Sequence, residues 1–103
     1  MPAYLAGKVA VVFGSGGEAH RAVAVALAQA GADVAVAGVT GDDLSAEAAL
    51  HSIANEIWAL GRRSTVVTLA ADDAPSFAKA VAGAISELGH AHLIVRADAV
   101  LNA

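Results

Sequence analysis

The segment that decides the fold is residues 13–22, FGSGGEAHRA. It follows a continuous apolar run at residues 8–13, KVAVVF, which predicts a strand buried on both faces of a parallel sheet. It leads into an alanine-rich stretch at residues 18–30 with apolar side chains at helical spacing, which predicts a helix that stops at Gly31. A strand, a glycine turn and a helix in this order are typical of the start of a nucleotide-binding α/β domain.

Two residues distinguish this turn from an ordinary phosphate-binding turn. Such turns bind pyrophosphate because helix N-terminal N–H groups and the helix dipole favour an anion, and because glycine lets the backbone approach closely. Glu18 adds negative charge in the first helical turn, and His20 adds bulk where a glycine would allow close packing. The stretch from Gly14 to Ala19 nevertheless satisfies G-x-G-x-x-A, the general dinucleotide fingerprint. Residual dinucleotide binding and a purely structural turn both remain open, and the substitutions favour the structural turn.

Composition limits the class of protein. The chain has 103 residues, of which 57% are hydrophobic and 16% charged, a balance that excludes disorder and allows one domain. Every apolar run is shorter than the roughly 18 residues that a membrane span needs, and we recognise no secretion signal. There is no cysteine, so neither a disulfide nor a thiolate site is expected. A net charge of −4 argues against nucleic acid and anionic membranes, and we expect a cytoplasmic protein.

The remainder of the chain alternates strands with helices. Further strands are predicted at residues 32–38, 63–70 and 92–95. The second helix is predicted to open with a capping box of the form T-x-x-D at residues 40–43. The third follows Asp72-Asp73-Ala74-Pro75, in which the proline suits a first helical turn. This order predicts βαβ units, a parallel sheet and one half-domain over residues 1–103.

Several segments in series resemble the N-terminal part of a short-chain dehydrogenase/reductase. They are LAGKVAVVFGSGG, ALAQAGADVAVAG, EIWALGRR, LAADDAPSF and ISELGHAHLIV, and in order and spacing they cover essentially the whole chain. The resemblance implies an α/β fold with an incomplete Rossmann-like parallel sheet, of about four strands in the order 3-2-1-4, and three helices. It also implies NAD(P)-dependent oxidoreduction, in which a hydride passes between a nicotinamide and a carbonyl or alcohol.

The glycine motif of that family, T-G-x-x-x-G-x-G, is degenerate here. Phe13 stands in the place of the threonine and Gly14 matches, whereas Glu18 and His20 replace the second and third glycines. The family's N-N-A-G motif after the fourth strand is also lost, because residues 96–99 read RADA. These departures make cofactor binding by this chain doubtful, although the resemblance implies NADP or NAD as the cofactor.

The resemblance also indicates which residues would hold the cofactor. Asp72 matches the family acid that follows the third strand and contacts the adenine side. Gly38-Val39-Thr40, at the end of the second strand, offers no acid for the ribose 2′-hydroxyl and so leans toward NADP over NAD. The candidate cofactor-binding residues are Gly14, Ser15, Gly16, Gly17, Thr40 and Asp72.

Catalysis is not expected from this chain alone. In the family the catalytic serine and the Y-x-x-x-K pair would lie beyond Ala103, so we expect neither of them here, nor any metal ligand. The resulting prediction is a truncated or divergent homologue of NAD(P)-dependent short-chain oxidoreductases that shows no turnover by itself. The alternative is a non-catalytic structural or interaction module without a cofactor.

The fourth predicted strand, residues 92–95, is expected to form an edge of the sheet. It carries neither lysine nor proline, so its unpaired backbone groups are a template for another chain. The family's later helices and strands, which finish the second face of the sheet, have no counterpart within residues 1–103. We therefore expect a homo-oligomer, most commonly a dimer, or a complementing chain at this edge.

Other conspicuous residues receive structural interpretations. Arg62 and Arg63 are interpreted as solvated loop residues, and Trp58 as core or half-buried packing. Arg96 is expected to pair with Asp98 or with solvent. His90 and His92 could lie on one face of an extended segment, but without a third ligand they predict no metal site.

Overall fold

A computed structural model describes residues 4–97. Within it, strands and helices alternate as β1 (Val9–Phe13), α1 (Glu18–Gln29), β2 (Asp33–Val39), α2 (Leu44–Ala59), β3 (Ser64–Leu69), α3 (Ala74–Leu88) and β4 (Leu93–Arg96). All strand pairs are parallel, and the order across the sheet is β3-β2-β1-β4. The predicted α/β class and strand order are confirmed, and the bounds of every predicted strand lie within one residue of the observed ones.

The sheet separates two apolar clusters of unequal cover. Ala10 and Val12 of β1 pack on one face against residues of α1 and α2. Val9, Val11 and Phe13 point to the other face, which α3 covers alone. All of β1 is buried, as its continuous apolar run predicted, because helices lie on both sides of it. One face of the described sheet is therefore covered by two helices and the other by one.

The start of α2 differs from the predicted capping box. The N-cap is Asp43, whose Oδ1 accepts hydrogen bonds from the N–H groups of Ser45 at 2.9 Å and Ala46 at 3.1 Å. Thr40, the predicted cap, instead extends the pairing between β2 and β3 by one residue, because its N–H donates to the carbonyl of Leu69 at 3.1 Å. The pattern identified a capped helix start and named the wrong residue of the pair.

The start and end of α3 agree with the prediction. Asp73 is the N-cap and accepts from the N–H of Ser76 at 2.9 Å, with proline in the first turn. Gly89 ends the helix with a φ of 91°, and its N–H donates to the carbonyl of Ile85. A left-handed φ at this position favours glycine, since a side chain there would be strained.

An ion pair that the sequence did not indicate joins α1 to α2. The guanidinium of Arg21 donates from Nε and Nη2 to the two carboxylate oxygens of Glu56, at 2.6 and 2.7 Å. These hydrogen bonds hold the pKa of Glu56 below its ordinary value. Because the two residues lie 35 positions apart in the chain, only the packing of the helices brings them together.

Arg63 is not the solvated loop residue that the sequence suggested. Its backbone N–H and Nε donate to the carboxylate of Asp33 at 2.9 and 3.0 Å, and Nη2 donates to the carbonyl of Leu88 at 3.1 Å. It thus ties the start of β2 to the last turn of α3, where a cation is favourable. Its role is structural, at the end of the sheet where the strands begin.

Trp58 was expected to be packed in or near the core, and this was wrong. It is 74% exposed, although Ile57 beside it is fully buried. A helix turns about 100° per residue, so Trp58 leaves the buried stripe of α2. That stripe consists of Leu50, Ile53, Ala54 and Ile57.

Across residues 4–97, no helix is long and apolar enough to cross a membrane.

Candidate functional site

A cleft of about 240 Å³ opens at the ends of the strands where a nucleotide would be expected. It lies at the carboxyl ends of the strands, and the strand order reverses there, with β2 on one side of β1 and β4 on the other. Open parallel sheets bind ligands at this switch point. The lining residues are Phe13, Gly14, Ser15, Gly38, Val39, Leu69, Asp72, Phe77 and Arg96.

The predicted site residues divide among three places. Gly14, Ser15 and Asp72 line this cleft together. Gly16 and Gly17 belong to the turn that leads into α1, with Gly17 as its N-cap. Thr40 lines a neighbouring cavity of about 510 Å³ instead. That cavity is also lined by Gly41, Asp42, Thr68, Leu69, Ala70, Ser76 and Lys79.

Gly38 is part of the site, although its place in the sequence did not suggest such a role. A Cβ at this position would lie 2.7 Å from the carbonyl oxygen of Gly14 and 3.0 Å from the side chain of Leu50. Only a glycine at the end of β2 lets the backbone of the glycine turn pass this closely. The signal that could have revealed it is a glycine inside an otherwise apolar strand.

His20 lies inside the glycine turn, with only 1% of its surface exposed. Its Nδ1 accepts a hydrogen bond from the N–H of Gly16 at 3.0 Å, and its Nε2 is 2.8 Å from the carbonyl oxygen of Val12. An N–H group can only donate, so Nδ1 is the acceptor and the ring proton is on Nε2, which donates to Val12. The imidazole is therefore held as the neutral ring by two backbone groups.

The ring of His20 also explains the glycine at position 14. A Cβ added to Gly14 would lie 2.5 Å from Cγ and 2.9 Å from Cβ of His20. Real Cβ atoms do not approach other carbons this closely, so the two residues fit together only because position 14 has no side chain. Gly14 makes room for a histidine of its own chain.

Glu18 presents less unbalanced charge to the turn than expected. Its Oε1 accepts from Nη1 of Arg21 at 3.1 Å, and its side chain is largely exposed. The carboxylate is thus paired and screened by water, which reduces its repulsion of an anion. Of the two substitutions in the glycine motif, His20 is the one that occupies the turn.

At the mouth of the cleft, Asp72 faces Arg96. The carboxylate Oδ1 and the guanidinium Nη2 are 3.6 Å apart, and both side chains are substantially exposed. Arg96 was expected to pair with Asp98 or with solvent; its partner in the structure is Asp72, while Asp98 and Ala99 lie outside the described residues. Below this pair, the rings of Phe13 and Phe77 stack with centroids 4.5 Å apart.

One Y-x-x-x-K spacing does occur in the chain, contrary to the expectation that none would be found. Tyr4 and Lys8 have it, and Tyr4 is the only tyrosine. Both precede β1, so they lie where the parallel strands begin, at the opposite edge from the cleft. Both side chains are exposed. This position gives them no access to a ligand in the cleft.

Of the two histidines before β4, His92 connects that strand to β1. Nδ1 of His92 accepts from the N–H of Val9 at 2.9 Å, and the N–H of His92 donates to the carbonyl of Val9 at the same distance. The ring of His90 lies 5.0 Å from that of His92. Within residues 4–97, no group of three potential metal ligands comes together.

Known proteins resemble the chain in sequence and in fold. No protein-family model matches it. An uncharacterized oxidoreductase of Mycobacterium tuberculosis is 41% identical over 90 residues, which are 85% of this chain and 31% of the relative. Carveol dehydrogenase from Mycobacterium avium, solved in complex with NAD, is 30% identical with a TM-score of 0.73, over 88% of this chain and 35% of its own.

A third match is the blue fluorescent protein from a metagenomic library, solved in complex with NADPH. It is 30% identical with a TM-score of 0.75, over 88% of this chain and 36% of its own. The chain thus spans about a third of the length of the relatives that it matches. By the strand order, the position of the cleft and these likenesses, the chain corresponds to the N-terminal part of a short-chain dehydrogenase/reductase.

Proposed function

We propose that the chain forms the nucleotide-binding half of a divergent NAD(P)-dependent oxidoreductase. The observation that carries this proposal is the cleft at the switch point, where Gly14, Ser15 and Asp72 meet from different parts of the sequence. Relatives solved with NAD and with NADPH support the same class of ligand. The volume of the cleft, about 240 Å³, is below the roughly 300–1,000 Å³ of pockets that hold a whole ligand. The cleft therefore suits the adenosine end of a dinucleotide.

The residues present fit only part of such a cofactor. Asp72 offers carboxylate oxygens that can accept a hydrogen bond from the exocyclic amine of adenine. The turn fits a pyrophosphate less well than the family turn does, because the N–H of Gly16 already donates to His20. A bound nicotinamide would supply hydride chemistry, and for that step the described cleft offers no tyrosine or lysine. We propose that residues 1–103 by themselves bind without turnover.

The cavity beside the cleft favours NADP over NAD. The end of β2 carries no acid that would hydrogen-bond a ribose 2′-hydroxyl, and Lys79 lines the cavity next to Thr40. An ammonium group there can neutralise a 2′-phosphate, while the carboxylate of Asp42 in the same cavity opposes it. Lys79→Gln should therefore weaken NADP⁺ binding without affecting NAD⁺ binding. Asp42→Asn should strengthen NADP⁺ binding, again without affecting NAD⁺ binding. Equal effects on both cofactors would argue against a 2′-phosphate in this cavity.

Calorimetry tests the main proposal. Asp72→Asn should weaken NADP⁺ binding roughly tenfold, since a hydrogen bond to a charged group is worth about 1.5 kcal/mol or more. Glu87→Gln is the matched control, because it removes an equal charge from the exposed surface of α3, outside the cleft residues. If NADP⁺ binds the unaltered chain no better than Asp72→Asn, the cleft is not the nucleotide site.

A second candidate function is an oligomer-forming module. β4 is an edge of the described sheet, and Ile94 is 48% exposed on the face that carries its register partner Val11. Ile85 of α3, on the same face, is 44% exposed. An apolar edge strand with unpaired backbone groups suits a second copy of the chain.

Sedimentation over a concentration series tests this candidate. Ile94→Lys should shift the chain toward the monomer, because a charged side chain blocks edge pairing. Trp58→Lys is the control, since Trp58 is exposed on α2, which covers the opposite face of the sheet. If the unaltered chain sediments as a monomer at high micromolar concentration, an oligomer-forming role is excluded.

A further inference from the structure

The glycine turn encloses a side chain of its own chain, the buried imidazole of His20, which accepts a hydrogen bond from the N–H of Gly16. We propose that His20 is a built-in occupant of the turn and sets its ligand choice. The cleft accepts the adenosine part of a nucleotide, and His20 keeps the N–H of Gly16 from a phosphate on the 5′ side of that adenosine, so that this phosphate adds no affinity. This inference rests on the proposed function, because it takes the cleft to be the nucleotide site.

The first argument is that the imidazole takes up a backbone N–H that a phosphate could use. The N–H of Gly16 donates to Nδ1 of His20 at 3.0 Å, so it has no hydrogen left for a phosphate oxygen. Moving the ring aside would also break the 2.8 Å hydrogen bond to the carbonyl of Val12, in a buried place. A buried carbonyl left without a donor is costly. The ligand would have to compensate for both losses.

The second argument comes from Gly14. In a phosphate-binding turn, glycine is needed so that the backbone can approach the ligand. Here the space beside Gly14 is filled by the ring of His20, to which an added Cβ would come within 2.5 Å. The glycine is thus accounted for by an internal side chain. Positions 14 and 20 should therefore be coupled energetically in the absence of any ligand.

The third argument separates His20 from Glu18. Both replace glycines of the family motif, but Glu18 is exposed and paired with Arg21 at 3.1 Å. Its removal frees no backbone donor in the turn. Glu18→Gln therefore changes charge near the turn while leaving the occupant in place, and it serves as the matched control for His20→Ala.

The binding test uses two ligands that differ only by a 5′-phosphate, adenosine 2′-phosphate and adenosine 2′,5′-bisphosphate. The unaltered chain and Glu18→Gln should bind both with similar affinity, because the N–H of Gly16 stays bonded to His20 and gives the extra phosphate no hydrogen bond. His20→Ala should bind the bisphosphate roughly tenfold more tightly and leave the monophosphate unchanged, since it frees the N–H of Gly16.

The outcomes separate this inference from the proposed function. If the monophosphate binds but His20→Ala does not improve the bisphosphate, the inference is wrong and the cleft remains a nucleotide site. If the unaltered chain already prefers the bisphosphate tenfold, the inference is also wrong. If neither ligand binds any variant, the inference and the proposed function fail together.

A test on the unaltered chain covers the case in which His20→Ala does not fold. The amide of Gly16 should exchange slowly with deuterium in the unaltered chain, and its NMR signal should not move when pyrophosphate is added. In addition, Gly14→Ala should lower the urea midpoint of the unaltered chain much more than that of His20→Gly. A Gly16 signal that shifts with pyrophosphate, or equal losses in both backgrounds, would overturn the proposal.

Discussion

In both the glycine turn and the mouth of the cleft, groups that could bind a ligand are bonded to side chains of the chain itself. These contacts differ in strength. In the turn, His20 is buried and makes two hydrogen bonds, at 3.0 and 2.8 Å. At the mouth, Asp72 and Arg96 are exposed and 3.6 Å apart. Water competes with the second pair and not with the first, so burial decides which contact a ligand can displace. A ligand can open the mouth far more easily than the turn.

The largest effect should come from His20→Ala, which tests the strong side of this comparison. It leaves the N–H of Gly16 and the carbonyl of Val12 without their partner, and we expect a loss of roughly 2–4 kcal/mol in the free energy of unfolding. Urea denaturation measures it. A loss below about 0.5 kcal/mol would mean that water replaces the ring and that the turn is as easily opened as the mouth.

Gly14→Ala should have the next largest effect, because its new Cβ would meet the ring of His20 at 2.5 Å. Overpacking of this kind costs about 1–3 kcal/mol. Gly83→Ala is the matched control, since its Cβ would lie 3.7 Å from Val67, an ordinary contact, within α3. There the same substitution should stabilise by about 0.5–1 kcal/mol, because alanine is the better helix former. Equal effects would show that position 14 has room to spare.

The pH dependence of stability sharpens the comparison at the mouth, where α3 begins. Hydrogen bonds from the side chain and backbone N–H of Ser76 hold the pKa of Asp73 below its ordinary 3.8. Because the pKa of Asp73 is higher in the unfolded chain than in the folded one, the carboxylate stabilises the fold above pH 3.8. This stabilisation is lost as the pH falls through the lower pKa of the folded chain. Asn can still cap the helix. Thermal unfolding of the unaltered chain and Asp73→Asn should differ most near pH 7 and converge toward pH 3.

Glu87→Gln controls this titration for the change in net charge, because Glu87 is exposed on the same helix. A difference between the unaltered chain and Asp73→Asn that stays constant from pH 7 to pH 3 would contradict a role for the Asp73 carboxylate in capping.

The smallest effect should come from Arg96→Ala, which tests the weak side of the comparison. The exposed pair with Asp72 is expected to contribute about 0.5 kcal/mol or less to the free energy of unfolding. Thermal unfolding of the variant should match the unaltered chain, and 1 M salt should leave the small difference indistinguishable from zero. A loss comparable with that of His20→Ala would mean that the mouth is as tightly closed as the turn.

Much of the architecture could be predicted because it depends on local patterns. The buried run of β1 and the glycine that ends α3 are read from neighbouring residues, and both were placed correctly. The cap of α2 was misplaced because Thr40 and Asp43 are both good capping residues. Which of them caps depends on how far β2 continues beside β3, and that is a property of the sheet.

The candidate site was predicted less completely. Gly14, Ser15 and Asp72 were expected at the cofactor and do share one cleft, whereas Thr40 lines the next cavity. The likeness to known dehydrogenases aligned these residues with a family site, but it could not show where the side chain of His20 would go. Bulk at that position was evident from the sequence; the two hydrogen bonds that hold the ring were not.

The sequence by itself determined the order of strands and helices, the parallel sheet and a glycine turn typical of nucleotide-binding domains, because these follow from hydrophobic period and from glycine and acidic residues at element ends. Only the tertiary structure decided that Arg21 reaches Glu56, that Arg96 faces Asp72 and that His20 occupies the turn. The physical reason is distance along the chain and direction in space. A hydrogen bond depends on a few tenths of an ångström and on an angle, which packing of whole helices on the sheet sets and which local sequence does not encode.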